Sequence, residues 1–437
     1  MIYYKEYITA IFAIYLRFNM KRKALAVISA ILAFITVASC FVGCSIDTDG
    51  GGSESATDIF TDLSDITDKP TEKATKRTNK KTTAKKETQP TPGKTQATTT
   101  LKDRTYNLGN ASDRSYFRVV GRAGYTDTGI LFDHCANVLE FQGYMTGELK
   151  LNANSSGSDK YEWTYLTVYI DGERVDQRFV IEGSNKTITL ATFEGNYFHT
   201  VRIVKQTEIA NSDSRLKNII MTGYLTKAPE ERKYYIEFFG DSLTAAYGNI
   251  GKPGNSNAGS SLHQDGTKSY AFIASEALGA DCSILAKSGV GLQTGYSSNP
   301  FMHYFEKNSY VRGNDKFNFT GARVPDIVVI HLGANDSTHT TTKSQFINRA
   351  KELIDYLQDG YGKEMPVIWA YDPSECVSIS WMNEVLNSYG GSAKGYYLLE
   401  LEWRSIGAGA GGHPSAKAHE KHAELLVNLI KKHNLLK

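Results

Sequence analysis

From Lys233 to the carboxyl terminus, short apolar runs alternate with longer segments whose apolar residues recur every three or four positions. The runs at 234–239, 282–286, 326–332, 366–371 and 396–401 are nearly continuous in Val, Ile, Leu and aromatics, as in strands covered on both faces. Segments 268–278, 343–358 and 375–387, and a closing one at 415–433, carry the helical period. Strand and helix in alternation predict a three-layer α/β/α domain over 232–437, with a parallel sheet between helices. Sheets of that kind place their sites just beyond the carboxyl ends of the strands.

Residues 101–226 have a different rhythm. Short runs of Val, Ile, Tyr, Phe and Thr, such as Tyr165–Ile170 and Phe198–Val204, are separated by Gly, Asn, Asp and Ser, with no helical period. Asp171-Gly172 after the first of these is a hairpin signal. This stretch predicts an all-β sandwich, a jelly roll.

Before it, 45–100 has no apolar period. An acidic half containing Asp47, Asp58 and Asp68 gives way to a basic half containing Lys73, Arg77 and Lys86, with Thr, Ser, Gly and Pro between. Such a composition buries too little apolar surface to offset its chain entropy and reads as a disordered tether. Residues 1–44 read as an export signal. Basic Lys21-Arg22-Lys23 precedes an apolar run to Val37, and the small residues around Cys40 and Cys44 follow. That order resembles the lipobox of bacterial lipoproteins, with Cys44 as the lipid-bearing residue, Cys40 as the alternative and Met20 as the true start. It implies a membrane contact through the lipid alone, at the cell surface.

Composition adds exclusions. A formal charge of +2 on 437 residues gives no electrostatic ground for a nucleic-acid partner. Cys135, Cys282 and Cys376 are odd in number and scattered, so they form no disulfide framework and read as buried thiols. No His, Cys, Asp or Glu cluster has metal-ligand spacing, and neither metal nor cofactor is expected.

The chemistry gathers at the predicted strand ends. Strand 234–239 runs into Gly240-Asp241-Ser242, which sets a hydroxyl at the sheet edge beside helix N–H groups. Ser242 can serve there as a nucleophile or merely as a helix cap. Strand 282–286 runs into Ser288-Gly289, where backbone can approach a ligand, and 326–332 runs into Gly333-Ala334-Asn335, whose amide can face a developing oxyanion. His413, in Gly412-His413-Pro414 before the last helix, supplies an imidazole as general base.

Ser242, Gly289, Asn335 and His413 are the signature letters of the SGNH, or GDSL, hydrolases. The stretches 232–249, His199–Glu208 and His413–Glu420 resemble carbohydrate esterase family two more narrowly. The resemblance covers roughly 110–437. It implies a jelly roll joined to an SGNH domain and removal of acetyl groups from plant cell-wall polysaccharides such as xylan and glucomannan. By that likeness Ser242 attacks, His413 relays the proton, and the N–H groups of Ser242 and Gly289 with the Asn335 amide hold the oxyanion. One departure is plain. The aspartate that such enzymes usually carry two or three residues before the histidine is replaced by Ala410 and Gly411. Either a backbone carbonyl orients His413, or an acid such as Glu402 reaches in. The alternatives to an acetyl esterase are a tethered carbohydrate-binding protein with a degenerate site, and an esterase acting on another acylated glycan or a lipid. The expected partner is an acetylated polysaccharide, bound by a monomer.

Overall fold

The computed structural model describes residues 90–307 and 316–437. The export signal, Cys40, Cys44 and the tether up to residue 89 lie outside the described residues. The described residues belong to one compact unit.

The carboxyl-terminal half carries five parallel strands. In chain order they are Tyr234–Gly240, Ala280–Ala286, Ile327–His331, Val367–Tyr371 and Tyr396–Glu400. Across the sheet the second lies outside the first, and the third, fourth and fifth follow on the other side. The first strand thus pairs with the second on one edge and with the third on the other, in register from Ile236 opposite Ile327 to Gly240 opposite His331. Where connections diverge in this way, the loops after the first and third strands leave a crevice between them. Ser242 follows the first strand and Asn335 the third.

Strand side chains alternate between two cores, because successive residues point to opposite faces. Ile236, Phe238, Ile284 and Val329 pack with helices Tyr270–Ala277 and Ala416–Lys432. Phe239, Leu285, Val328 and Ile330 pack with helices Lys343–Tyr361 and Ile379–Ser388. The helix over 343–361 begins at a capping box, Thr342 with Gln345, and ends at Gly362 in the left-handed region. The third helix starts at Ile379 rather than at 375, because Asp372 first turns the chain by accepting the Ser374 N–H.

In the amino-terminal half, hydrogen bonds join ten strands into one curled antiparallel sheet. The runs that suggest short strands fuse into long ones: Val138–Ser155, Lys186–Lys205 and Ser214–Leu225. Register shifts near Met145/Gly147 and Leu149/Lys150 bend the long pairing. The jelly roll expected from the runs is not itself shown; what the hydrogen bonding defines among the described residues is this single curled sheet. Asp171 and Gly172, both at positive φ, make the expected tight turn, closing on Ile170 opposite Glu173. Residues 93–97, read as tether, instead lie along the edge of strand Lys186–Lys205, exchanging backbone bonds with Asn196 and Phe198 at 2.7–2.8 Å. An unpaired strand edge accepts any extended backbone, whatever its side chains.

The halves are fastened to each other by buried groups. Val120, Cys135, Val138 and Val204 join the core of the carboxyl-terminal half. Arg122 reaches Glu237 on the first strand at 3.2 Å, with both side chains almost fully buried, and Arg118 meets Asp281 at 2.6 Å. Cys135 and Cys282 are buried free thiols as expected, whereas Cys376 is partly exposed.

Candidate active site

The strand Tyr234–Gly240 ends on Gly240, where a Cβ would lie 2.2 Å from Thr244 Oγ1. Only glycine lets the chain turn this sharply into the following helix. Asp241 caps that helix, its Oδ1 accepting the Leu243 N–H at 3.0 Å. Ser242 is the first helical residue and is 8% exposed. The N–H groups of a first helical turn have no intrahelical acceptor. One turn later Ala246, at φ +65°, stops the helix.

His413 comes to Ser242 from 171 residues away: Nε2 lies 2.8 Å from Oγ. Its loop is pinned to the segment that follows the serine. The Ala410 N–H donates to Gly248 O at 2.9 Å and the Ala416 N–H to Asn249 O at 2.8 Å. Nδ1 lies 3.0 Å from Gly411 O, a carbonyl that can only accept. The proton therefore sits on Nδ1, and the Nε2 lone pair faces the Ser242 hydroxyl. Tyr247 packs against the imidazole with ring centroids 4.3 Å apart. Burial lowers the His413 pKa, and the bond to Gly411 partly opposes this. Glu402 is not involved. Its carboxylate accepts from the N–H and hydroxyl of Ser405, closing its own turn.

Asn335, also 8% exposed, lies in the short helix after the third strand. Its Nδ2 donates to Asp241 Oδ2 at 3.0 Å and to Val290 O at 3.1 Å. One amide thereby ties the serine turn to the loop after the second strand. Burial pushes the Asp241 carboxyl up to about 7, against the pull of the Leu243 and Asn335 donors. Gly289, in that loop, has φ +77°, and its carbonyl accepts the Ser297 N–H at 2.8 Å. A glycine is favoured at that φ. Gly291, two residues on, is packed against Thr294 so tightly that a Cβ would overlap its carbonyl.

Of the residues singled out from sequence, Ser242 and His413 meet directly, Asn335 bonds the residue before the serine and the residue after Gly289, and Glu402 stays away. Tyr247 and Asp241 were visible only as letters of the serine motif, without a role. Tyr296, 75% exposed and set edge-on to His339 at 4.7 Å, stands beside the Gly289 turn with no sequence signal to mark it. Among the described residues no group of His, Cys, Asp and Glu could hold a metal ion.

Fold and site together define the SGNH type of carboxylic ester hydrolase. Residues 236–426 match the GDSL-like lipase/acylhydrolase family, and residues 119–229 match the carbohydrate esterase 2 N-terminal family. The chain thus joins a carbohydrate esterase 2 N-terminal domain to a GDSL-like lipase/acylhydrolase domain. It is similar to the solved family two carbohydrate esterase from Clostridium thermocellum in complex with cellohexaose. That likeness has 26% identity and a TM-score of 0.65, and covers 73% of this chain and 100% of the other. Among curated proteins it is 29% identical over 284 residues to the cellulase/esterase CelE of Acetivibrio thermocellus, 61% of this chain but only 34% of that protein. The chain therefore spans about a third of the length of that relative. It is also 24% identical over 251 residues to the acetylxylan esterase / glucomannan deacetylase of Cellvibrio japonicus, 52% of this chain and 68% of that protein.

Proposed function

We propose that this chain removes O-acetyl groups from a plant cell-wall polysaccharide, xylan or glucomannan, through an acetyl-enzyme on Ser242. The observation that carries the reading is the 2.8 Å approach of His413 Nε2 to Ser242 Oγ, with Nδ1 committed to Gly411 O. Ser242 Oγ attacks the acetyl carbonyl while His413 takes the hydroxyl proton. The oxyanion is received by the N–H groups of Ser242 and Gly289, and by the Asn335 N–H that otherwise rests on Val290 O. Asp241 keeps the other Asn335 hydrogen, so the amide pivots without coming loose. His413 then protonates the departing sugar oxygen, and water, deprotonated by the same imidazole, returns acetate and free Ser242. The exposed ring of Tyr296 beside the Gly289 turn offers a face against which a sugar can pack.

The test is acetate release from acetylated xylan and from acetylated glucomannan. Release from either supports the reading. Binding of these polymers with no release would favour a tethered binding protein. We further propose that the mature chain is held at the bacterial surface by lipid on Cys44, or on Cys40. The basic, apolar, small-residue order of the leader supports this, and mass spectrometry of the cell-derived amino terminus tests it.

A further inference from the structure

The curled β sheet reaches the loops that carry the site. Its strand Lys186–Lys205 leads into a turn at 206–212 whose residues 206–209 and 212 are buried. From that turn Glu208, with no exposed surface, spends its carboxylate on Ser288, the residue before Gly289. Oε2 accepts the Ser288 N–H at 2.7 Å, and Oε1 accepts its hydroxyl. We propose that Glu208 is a positioning residue of the β domain that aims the Gly289 N–H into the oxyanion site.

Gly289 is held from two sides. Its carbonyl takes the Ser297 N–H, while the peptide carrying its own N–H begins at Ser288. The backbone nitrogen and the hydroxyl of Ser288 are both fixed by one carboxylate, which holds in place the residue from which the Ser288–Gly289 peptide starts. At φ +77° a glycine has no Cβ to hold that orientation by itself. The Val290 N–H, donating to Lys287 O at 3.3 Å, closes a turn over this peptide from within the loop, and Glu208 anchors that turn from outside it.

The turn is rigid enough for the task. Lys205, fully buried, donates through Nζ to the carbonyls of Asp133, Thr207 and Ser212, stapling both ends of the turn. Gln264 accepts the Glu208 N–H at 3.0 Å through Oε1. Through Nε2 it donates to Ala245 O, at the end of the Ser242 helix, at 2.7 Å. One turn of the β domain is therefore tied to both arms of the crevice, the nucleophile's helix and the Gly289 loop. A misplacement of about 1 Å in a catalytic group can cost on the order of 10²-fold in rate.

The proposal rests on the acetyl esterase reading, and the experiment separates the two. Glu208→Ala, Glu208→Gln and Ser288→Ala are compared with the wild type for kcat and KM on an acetylated substrate. Affinity for a boronic acid, whose adduct with Ser242 places an oxygen in the oxyanion site, is measured alongside. Glu208→Ala is expected to lose about 10- to 100-fold in kcat with KM within threefold, and to lose boronate affinity in parallel. Glu208→Gln, which can still accept the Ser288 N–H and donate to its hydroxyl, should recover to within about fivefold of wild type. If Glu208→Ala does not fold, Ser288→Ala decides the matter. It keeps the N–H bond but loses the hydroxyl, and should fall about 3- to 10-fold in kcat and boronate affinity together. Folded variants with unchanged kcat, or a kcat loss without loss of boronate affinity, would overturn the positioning role while leaving the esterase standing. A wild type that releases no acetate would overturn both.

Discussion

His413 Nδ1 lies 3.0 Å from the carbonyl oxygen of Gly411, in the place where a triad would put a carboxylate. A carbonyl fixes the imidazole tautomer as a carboxylate does, but brings no full charge to the imidazolium that forms. Disabling the carboxylate of a serine protease triad costs about 10⁴ in kcat. Here there is none to disable, and Glu402 is engaged with Ser405. Glu402→Gln should therefore lower kcat less than tenfold on an acetylated substrate. A collapse of kcat with the fold unchanged would mean that Glu402 reaches His413 during turnover.

On the proposed mechanism, without that charge, the oxyanion donors carry more of the acceleration. Removing one typically costs about 10² to 10³ in kcat. Asn335→Ala should lose at least that much, with little change in KM, because the amide acts on the transition state rather than on the bound sugar. Steady-state kinetics on the same substrate reads both constants. A rise in KM with kcat intact would make Asn335 a binding residue only.

The pH profile follows from burial of His413. General-base action needs the neutral imidazole, and burial lowers its pKa from the usual 6.5. The acid limb of kcat/KM should accordingly have its midpoint below 6.5. A midpoint at or above 6.5 would mean that another charge, absent from these contacts, stabilises the imidazolium.

Stability should fall in acid through buried histidines behind the site. His331, at the end of the third strand, is 3% exposed, has neither ring nitrogen hydrogen-bonded among the described residues, and is pushed down to about 3 by burial. Between 6.5 and that value the unfolded chain binds a proton at this position and the folded chain does not. Its share of stability is thus full above 6.5 and is lost as pH falls. His331→Phe should flatten the decline by about 2 kcal/mol between pH 6.5 and 5. Urea unfolding of both proteins at the two pH values measures this, and parallel slopes would contradict it.

The parallel sheet and its helices were legible because burial on both faces leaves continuous apolar runs; Ser242, Gly289 and Asn335 stand out because they follow where those runs stop, and His413 because it precedes the last helix. Strand ends came within two residues. The curled sheet was harder to read. Long strands such as Lys186–Lys205 are half exposed and bent by bulges, so their sequence breaks into pieces that mimic short strands. The tie from Glu208 to Ser288 spans 80 residues and joins two halves that each look self-sufficient. No local pattern announces such a contact. The orientation of His413 was left between carbonyl and acid for a related reason, since a main-chain acceptor has no letter of its own.

The central claim is that Ser242 is the nucleophile of an acetyl esterase, and acetate release from acetylated xylan by wild type and Ser242→Ala tests it most directly. The serine is small and nearly buried, so the alanine variant should keep its fold and its melting temperature within a few degrees. Its rate should drop about a thousandfold or more, because without Oγ no acetyl-enzyme forms. A folded Ser242→Ala protein that releases acetate within tenfold of the wild-type rate would contradict the assignment.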